Sequence, residues 1–124
     1  MMINDYRDLD VWKHSMDLAV DIYRQTGHFP REEMFGLTSQ MRRAASSIPA
    51  NIAEGYGRQQ RRSFVQYLRI SQGSLKELET HLELACRVGF ASRENVTAFG
   101  ERTGSLGKML RSLIRSLEAK DAGK

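Results

Sequence analysis

The sequence predicts an all-α protein, an antiparallel up-down-up-down four-helix bundle, and three observations carry that expectation. Apolar residues recur at alternating spacings of three and four along nearly the whole chain, which is a helix-packing period. The periodic stretches are separated by only a few residues, around Gly27, Gly57 and Gly89, and short connections between long helices force antiparallel neighbours. No segment alternates with the period of two that a half-buried strand needs. With 124 residues, 40% hydrophobic and 27% charged, and only 2 prolines, the chain is expected to form one domain over 1–124 around one ordinary core.

The first helix is expected over about residues 8–26. Leu9, Trp12, Met16, Ala19 and Tyr23 form one stripe, and Val11, Leu18 and Ile22 form a second beside it. Gly27 suits the left-handed residue that follows a helix, and Pro30 prevents continuation.

The second helix, about 33–56, carries Leu37, Met41, Ala44, Ile48 and Ile52, and its phase runs through Pro49 without a slip. An interior proline removes one hydrogen bond and crowds the preceding turn, at a cost of roughly 3 kcal/mol. Unbroken phase argues for one helix kinked at Pro49 rather than two helices, with Ser46 and Ser47 placed to offer hydroxyls to the disturbed turn. Gly55 and Gly57 are expected to end it.

The third helix, about 60–88, presents Phe64, Leu68, Ser71, Leu75, Leu78, Leu82 and Ala85. The fourth, about 92–119 and capped by Ser92, presents Val96, Phe99, Thr103, Leu106, Leu110, Leu113 and Leu117. Gly73, Gly104 and Gly107 lie inside these helices, where each costs on the order of 1 kcal/mol against alanine but admits another backbone closely. Together with the double stripe of the first helix, they imply more contact surface than one small bundle uses, and self-association is the expected outlet.

Several kinds of chemistry are excluded or unsupported. Cys86 is the single cysteine, so neither a disulfide framework nor a cysteine zinc site is available, which fits a reducing, cytoplasmic compartment. No apolar run approaches a membrane span. Gly55-Tyr56-Gly57 lacks the strand before it and the third glycine of a phosphate loop, and reads as a helix end and turn. Glu77, Glu79, His81 and Glu83 have the wrong spacing for the Glu-x-x-His of a di-iron bundle and read as a solvated face, so no metal site is expected. His14 and His28 are isolated, and Ser46, Ser47, Asn51 and Cys86 sit in no nucleophile motif. No catalytic residue, enzyme activity or cofactor is expected.

Charge is the remaining signal. The net charge is +4, and basic residues exceed acidic ones by 6 to 3 over positions 31–62 and by 7 to 4 over 93–124. In the expected topology the turn after the second helix shares an end of the bundle with the C-terminus of the fourth. Arg58, Arg61 and Arg62 would then approach Arg115, Lys120 and Lys124, with Asp5, Asp8, Glu118 and Asp121 partly neutralising that end, while Lys108, Arg111 and Arg115 line the adjoining face of the last helix. Tyr56 within this cluster offers a ring on which a base could stack. These seven residues, Tyr56, Arg58, Arg61, Arg62, Lys108, Arg111 and Arg115, form the candidate nucleic-acid-binding set. The competing reading is solubilising charge and compensation of the helix dipole.

Runs such as Leu37-Thr-Ser-Gln-Met-Arg-Arg-Ala-Ala, Ser47-Ile-Pro-Ala-Asn-Ile-Ala-Glu-Gly and Gly73-Ser-Leu-Lys-Glu-Leu-Glu-Thr, within a likeness that covers about residues 8–117, resemble the bacterial four-helix-bundle proteins associated with intervening sequences in large-subunit ribosomal RNA genes. The resemblance implies a ring-shaped homo-oligomer, typically a pentamer, without established enzymatic activity. It also implies a distant relation to the basic pentameric accessory proteins of diversity-generating retroelements, which engage nucleic acid and a reverse transcriptase. The chain departs from the usual pattern at the start of the third helix, where Gln60 and Ser63 replace a Ser-x-x-Glu capping box. The expected function is therefore a non-enzymatic homo-oligomer that binds structured RNA through a basic surface, with a ring-shaped scaffold for a protein partner as the alternative.

Overall fold

The computed structural model describes residues 5–122, so Lys124 lies outside the described residues. Four helices account for most of them: α1 Asp10–Thr26, α2 Leu37–Gly57, α3 Arg61–Arg87 and α4 Arg93–Ala122. Single 3-10 turns precede α1 at Tyr6–Asp8 and α2 at Arg31–Glu33. Each helix packs on its neighbours in chain order and α4 closes back on α1, with no diagonal α1–α3 or α2–α4 packing among the described residues. The α1–α2 side of the bundle is therefore opposite the α3–α4 side.

The core contains Leu18, Ile22, Met41, Ile48, Ile52, Leu68, Leu78 and Leu110, each almost fully removed from water. Truncating any one of these to alanine is expected to cost about 2–5 kcal/mol. Two buried hydroxyls bond across helices: Ser71 Oγ of α3 donates to the Ile48 carbonyl of α2 at 2.9 Å, and Thr103 Oγ1 of α4 donates to Glu79 of α3 at 2.7 Å.

The core seam of α1 differs from the stripe the sequence suggests first. Val11, Ser15, Leu18, Ile22 and Thr26 face inward, joined by Ala19, whereas Met16 and Tyr23 are exposed. The seam is disguised because two of its members are polar. Their hydroxyls are absorbed by the helix itself, Ser15 Oγ on the Trp12 carbonyl at 3.0 Å and Thr26 Oγ1 on the Ile22 carbonyl at 2.8 Å. Smaller exchanges occur elsewhere: Val65 is buried where Phe64 is only half-buried, and Ile114 takes the place expected for Leu113.

Helix α2 runs through Pro49 without interruption. Around the proline, Asn51 Nδ2 donates to the Ser47 carbonyl at 2.8 Å, and Ser47 and Ser74 share a hydrogen bond at 2.9 Å that ties α2 to α3. Ser46 Oγ instead reaches the Arg43 carbonyl at 3.3 Å. Gly55 does not stop the helix, which continues to Gly57. It is buried because α3 crosses it: a Cβ there would stand 2.6 Å from Tyr67 Cβ and 3.1 Å from Phe64 Cδ1. Of the three interior glycines named above, only Gly107 lies against another helix, with Leu75 Cδ2 3.6 Å from where its Cβ would be, while Gly73 and Gly104 face open space.

The ends are closed by different means. Gly27 keeps a right-handed φ of −61°, and Arg42 of α2 completes the end of α1 by donating to Thr26 Oγ1 at 2.9 Å and to the Tyr23 carbonyl at 3.1 Å. A cation in that place also suits the negative end of the helix dipole. Gly89 takes the left-handed φ of +86°. Phe90 N–H donates to Ala85 O at 2.9 Å and Gly89 N–H to Cys86 O at 3.1 Å, a Schellman ending for α3. Ser92 caps α4 as expected, accepting from Asn95 N–H at 3.1 Å.

Candidate nucleic-acid interface

The turn that carries the first three arginines is short and tight. Arg58 and Gln59 close on the Gly55 and Tyr56 carbonyls at 3.3 and 3.2 Å, and Gln59 adopts a positive φ of 60°. Gln60 then extends the chain into α3 and makes no side-chain cap, as its replacement of the usual capping serine leads one to expect. The reversal sends consecutive arginines to different sides of α3.

Arg58 turns toward α2. Its Nη2 donates to Glu54 Oε2 at 3.1 Å and to the Tyr67 hydroxyl at 2.8 Å. Hydrogen bonding to Glu54, and then the proximity of Tyr67, raise the pKa of its guanidinium. Arg61 turns toward α4, where its Nε donates to Asp121 Oδ1 at 2.8 Å. Eight positions on, Arg69 donates to Glu118 at 2.9 Å. These two pairs place the start of α3 beside the end of α4, so the shared end of the bundle exists as the topology required.

Four of the seven candidate residues are exposed cations that form no ion pair among the described residues: Arg62 at the start of α3, and Lys108, Arg111 and Arg115 on α4. On α4 their spacings of three and four put them on one outward face. Arg58 and Arg61 are committed to carboxylates. Tyr56 is half-buried, with its ring edge-on to Phe64 at 5.9 Å between centroids. What α3 and α4 present together is thus a surface of uncommitted cations with the Arg61–Asp121 and Arg69–Glu118 pairs along the helix junction.

Of the three carboxylates read as a solvated face on α3, Glu77 is exposed, while Glu79 and Glu83 are engaged in ion pairs. Lys76 donates to Glu79 at 3.0 Å, while Glu83 receives Arg87 at 2.9 Å and Arg93 at 2.7 Å. No three potential metal-ligating side chains come together among the described residues. No helix among them is long and apolar enough to cross a membrane.

The opposite side of the bundle has another character. Between α1 and α2 runs an open groove of about 570 Å³, lined by Trp12, Met16, Val20, Tyr23, Pro49 and Ala53 among others. The tyrosine of the first 3-10 turn, Tyr6, closes part of it, edge-on to Trp12 at 5.3 Å. The signal for this groove was the outer stripe of α1, which sequence periodicity alone cannot tell from the core seam.

The sequence model of a family described as 23S rRNA-intervening sequence protein matches residues 7–112. Among solved structures, a protein of unknown function from the S23 ribosomal protein family of Bacteroides thetaiotaomicron VPI-5482 is similar at 30% identity with a TM-score of 0.79. The match covers 85% of this chain and 95% of that one. No curated protein matches.

Proposed function

The chain belongs to the 23S rRNA-intervening sequence protein family, and from that premise we propose that it is a non-enzymatic, self-associating bundle that binds structured RNA through its α3–α4 side. The observation that carries the reading is that unpaired cations line α4 and the start of α3, away from the apolar groove; Lys13 and Arg43 are exposed and unpaired among the described residues on α1 and α2, so the charge is not confined to that side. Arg62, Lys108, Arg111 and Arg115 are exposed without ion-pair partners on α3 and α4, while the apolar groove lies on α1 and α2. Copies that meet through the groove side would leave their cations facing solvent.

Phosphate oxygens are the natural partners of such a surface. Each Lys or Arg that neutralises a phosphate releases condensed counterions, so affinity falls steeply with salt. Contacts of this kind position a nucleic acid without reading bases, so weak sequence preference follows. Self-association would repeat the surface and multiply the engagement without new contact types. The family's association with ribosomal RNA intervening sequences makes RNA the first ligand to test, and a cytoplasmic location accords with it.

The direct experiment is an anisotropy titration of the protein with a structured RNA hairpin at low and at physiological salt. Saturable binding that weakens steeply with salt supports the reading. Absence of binding at low salt overturns it in favour of a second reading, a ring-shaped scaffold that recruits a protein, which the apolar groove favours.

A further inference from the structure

Phe35 is 97% exposed, the highest value among the large hydrophobic side chains, and its neighbour Met34 is 47% exposed. The turn that displays them is ordered by its own hydrogen bonds. Met34 N–H donates to Arg31 O at 3.1 Å, Gly36 N–H to Glu33 O at 3.0 Å, and Glu33 Oε1 accepts from Leu37 N–H at 3.1 Å. The phenyl ring is thus held out on a fixed support, and a preformed knob loses little freedom on docking.

The apolar groove between α1 and α2 is the complementary feature, and Phe35 cannot fill it within the same chain. The ring stands one residue before the N-cap of α2, whereas the nearest α2 residue of the groove is Ser46. The two positions are eleven residues apart in sequence, nearly all of that span helical, which is about 16 Å along the axis. Charge agrees with a meeting between copies. Arg24 lines the groove and is held only loosely, 3.4 Å from Asp21. Glu32, three residues before the knob, is exposed and unpaired among the described residues.

We infer that Phe35 of one copy seats in the α1–α2 groove of the next, with Glu32 approaching Arg24. The inference rests on the self-association proposed above and specifies its surfaces. Knob and groove are different patches, so the contact is heterologous: it closes into a ring or runs on as a filament, and a two-fold dimer does not satisfy it.

The test uses Phe35→Ser and Val20→Glu, both at exposed positions where the fold is expected to tolerate them, with circular dichroism as the control. Light scattering is expected to give the wild type a multiple of 14.2 kDa and each variant a mass near that of one chain. In a Cys86→Ser background that keeps Phe35 and Val20, a tagged Glu32→Cys chain mixed with an Arg24→Cys chain is expected to give a disulfide-linked pair containing one of each. If the wild type assembles and Phe35→Ser assembles equally well, the knob is wrong while self-association stands. If both variants dissociate but positions 32 and 24 do not cross-link, the knob seats elsewhere and the inference fails. A wild type that stays at one chain's mass across micromolar concentrations removes both the knob and the self-association it rests on.

Discussion

Arg61 at the start of α3 donates to Asp121 near the end of α4 at 2.8 Å, across a separation of 60 residues, with both side chains only about one third exposed, 34% and 31%. The pair fixes the register of the two helices and withdraws one cation from the basic surface. Its partial burial exposes it less to solvent screening than most surface pairs, whose worth is about 0–1 kcal/mol.

Asp121→Asn is therefore expected to lower stability only slightly and to increase RNA affinity. Releasing Arg61 adds one potential phosphate contact, so the slope of log K against log salt steepens by up to about 0.9. A salt series by fluorescence anisotropy measures it. An unchanged slope would mean that Arg61 does not reach the ligand.

Gly55 and Gly73 are expected to respond oppositely to alanine. At Gly55 the new methyl meets Tyr67 Cβ at 2.6 Å, backbone-proximal and unable to swing away, so α2 and α3 must separate. The cost is expected to be about 1–3 kcal/mol. Gly73 faces open space, and Gly73→Ala is expected to stabilise the isolated chain by about 0.5–1 kcal/mol. Urea denaturation of both variants decides between close packing and mere helix termination at Gly55.

The four helices and the passage of α2 through Pro49 were legible because apolar spacing along each helix records them, and the antiparallel order because the connections are short. The Ser92 cap was legible because it depends on residues within one turn of each other. The inward face of α1 was not, since Ser15 and Thr26 break the apolar pattern while satisfying themselves on the Trp12 and Ile22 carbonyls. Nor was the division of the arginines. Glu118 and Asp121 are expected from the sequence to neutralise part of the basic end, but which arginine each meets depends on Gln59's positive φ and on the tertiary packing of α3 against α4. Phe35 gave no signal, because an exposed aromatic in a turn looks the same in sequence as one that folds inward.

Glu83 links α3 to α4 and is the clearest titrating group. Hydrogen bonds from Arg93, then from Arg87, hold its carboxyl down to about 2 from the usual 4.5. Because the folded value is depressed, the stability it contributes is present above the unfolded value and is lost as pH falls from about 4.5 toward 2. The side chain is 38% exposed, so screening by solvent keeps the effect small. Wild type and Glu83→Gln are expected to differ in Tm near neutral pH and to converge toward pH 2. A gap that persists there would assign the effect to packing rather than charge.

Pro49→Ala restores the amide that could bond the Ala45 carbonyl and removes a ring from the groove. Because α2 is continuous across this position, the variant is expected to keep its helical circular dichroism and a single cooperative transition. Straightening of a bend at Pro49 would be visible on comparing crystal structures of the two proteins. Loss of helical signal would show that the proline is required for the helix to form as it does.

The central claim is that the uncommitted cations of α3 and α4 contact RNA, and it is tested most directly by one comparison. Binding of a structured RNA to wild type and to Arg62→Glu/Arg111→Glu/Arg115→Glu is measured by anisotropy across a salt series, with thermal melts confirming that both are folded. The predicted result is that the triple reversal weakens binding by about tenfold or more at low salt and flattens the salt dependence. Equal affinity and equal slope for the two proteins would contradict the claim.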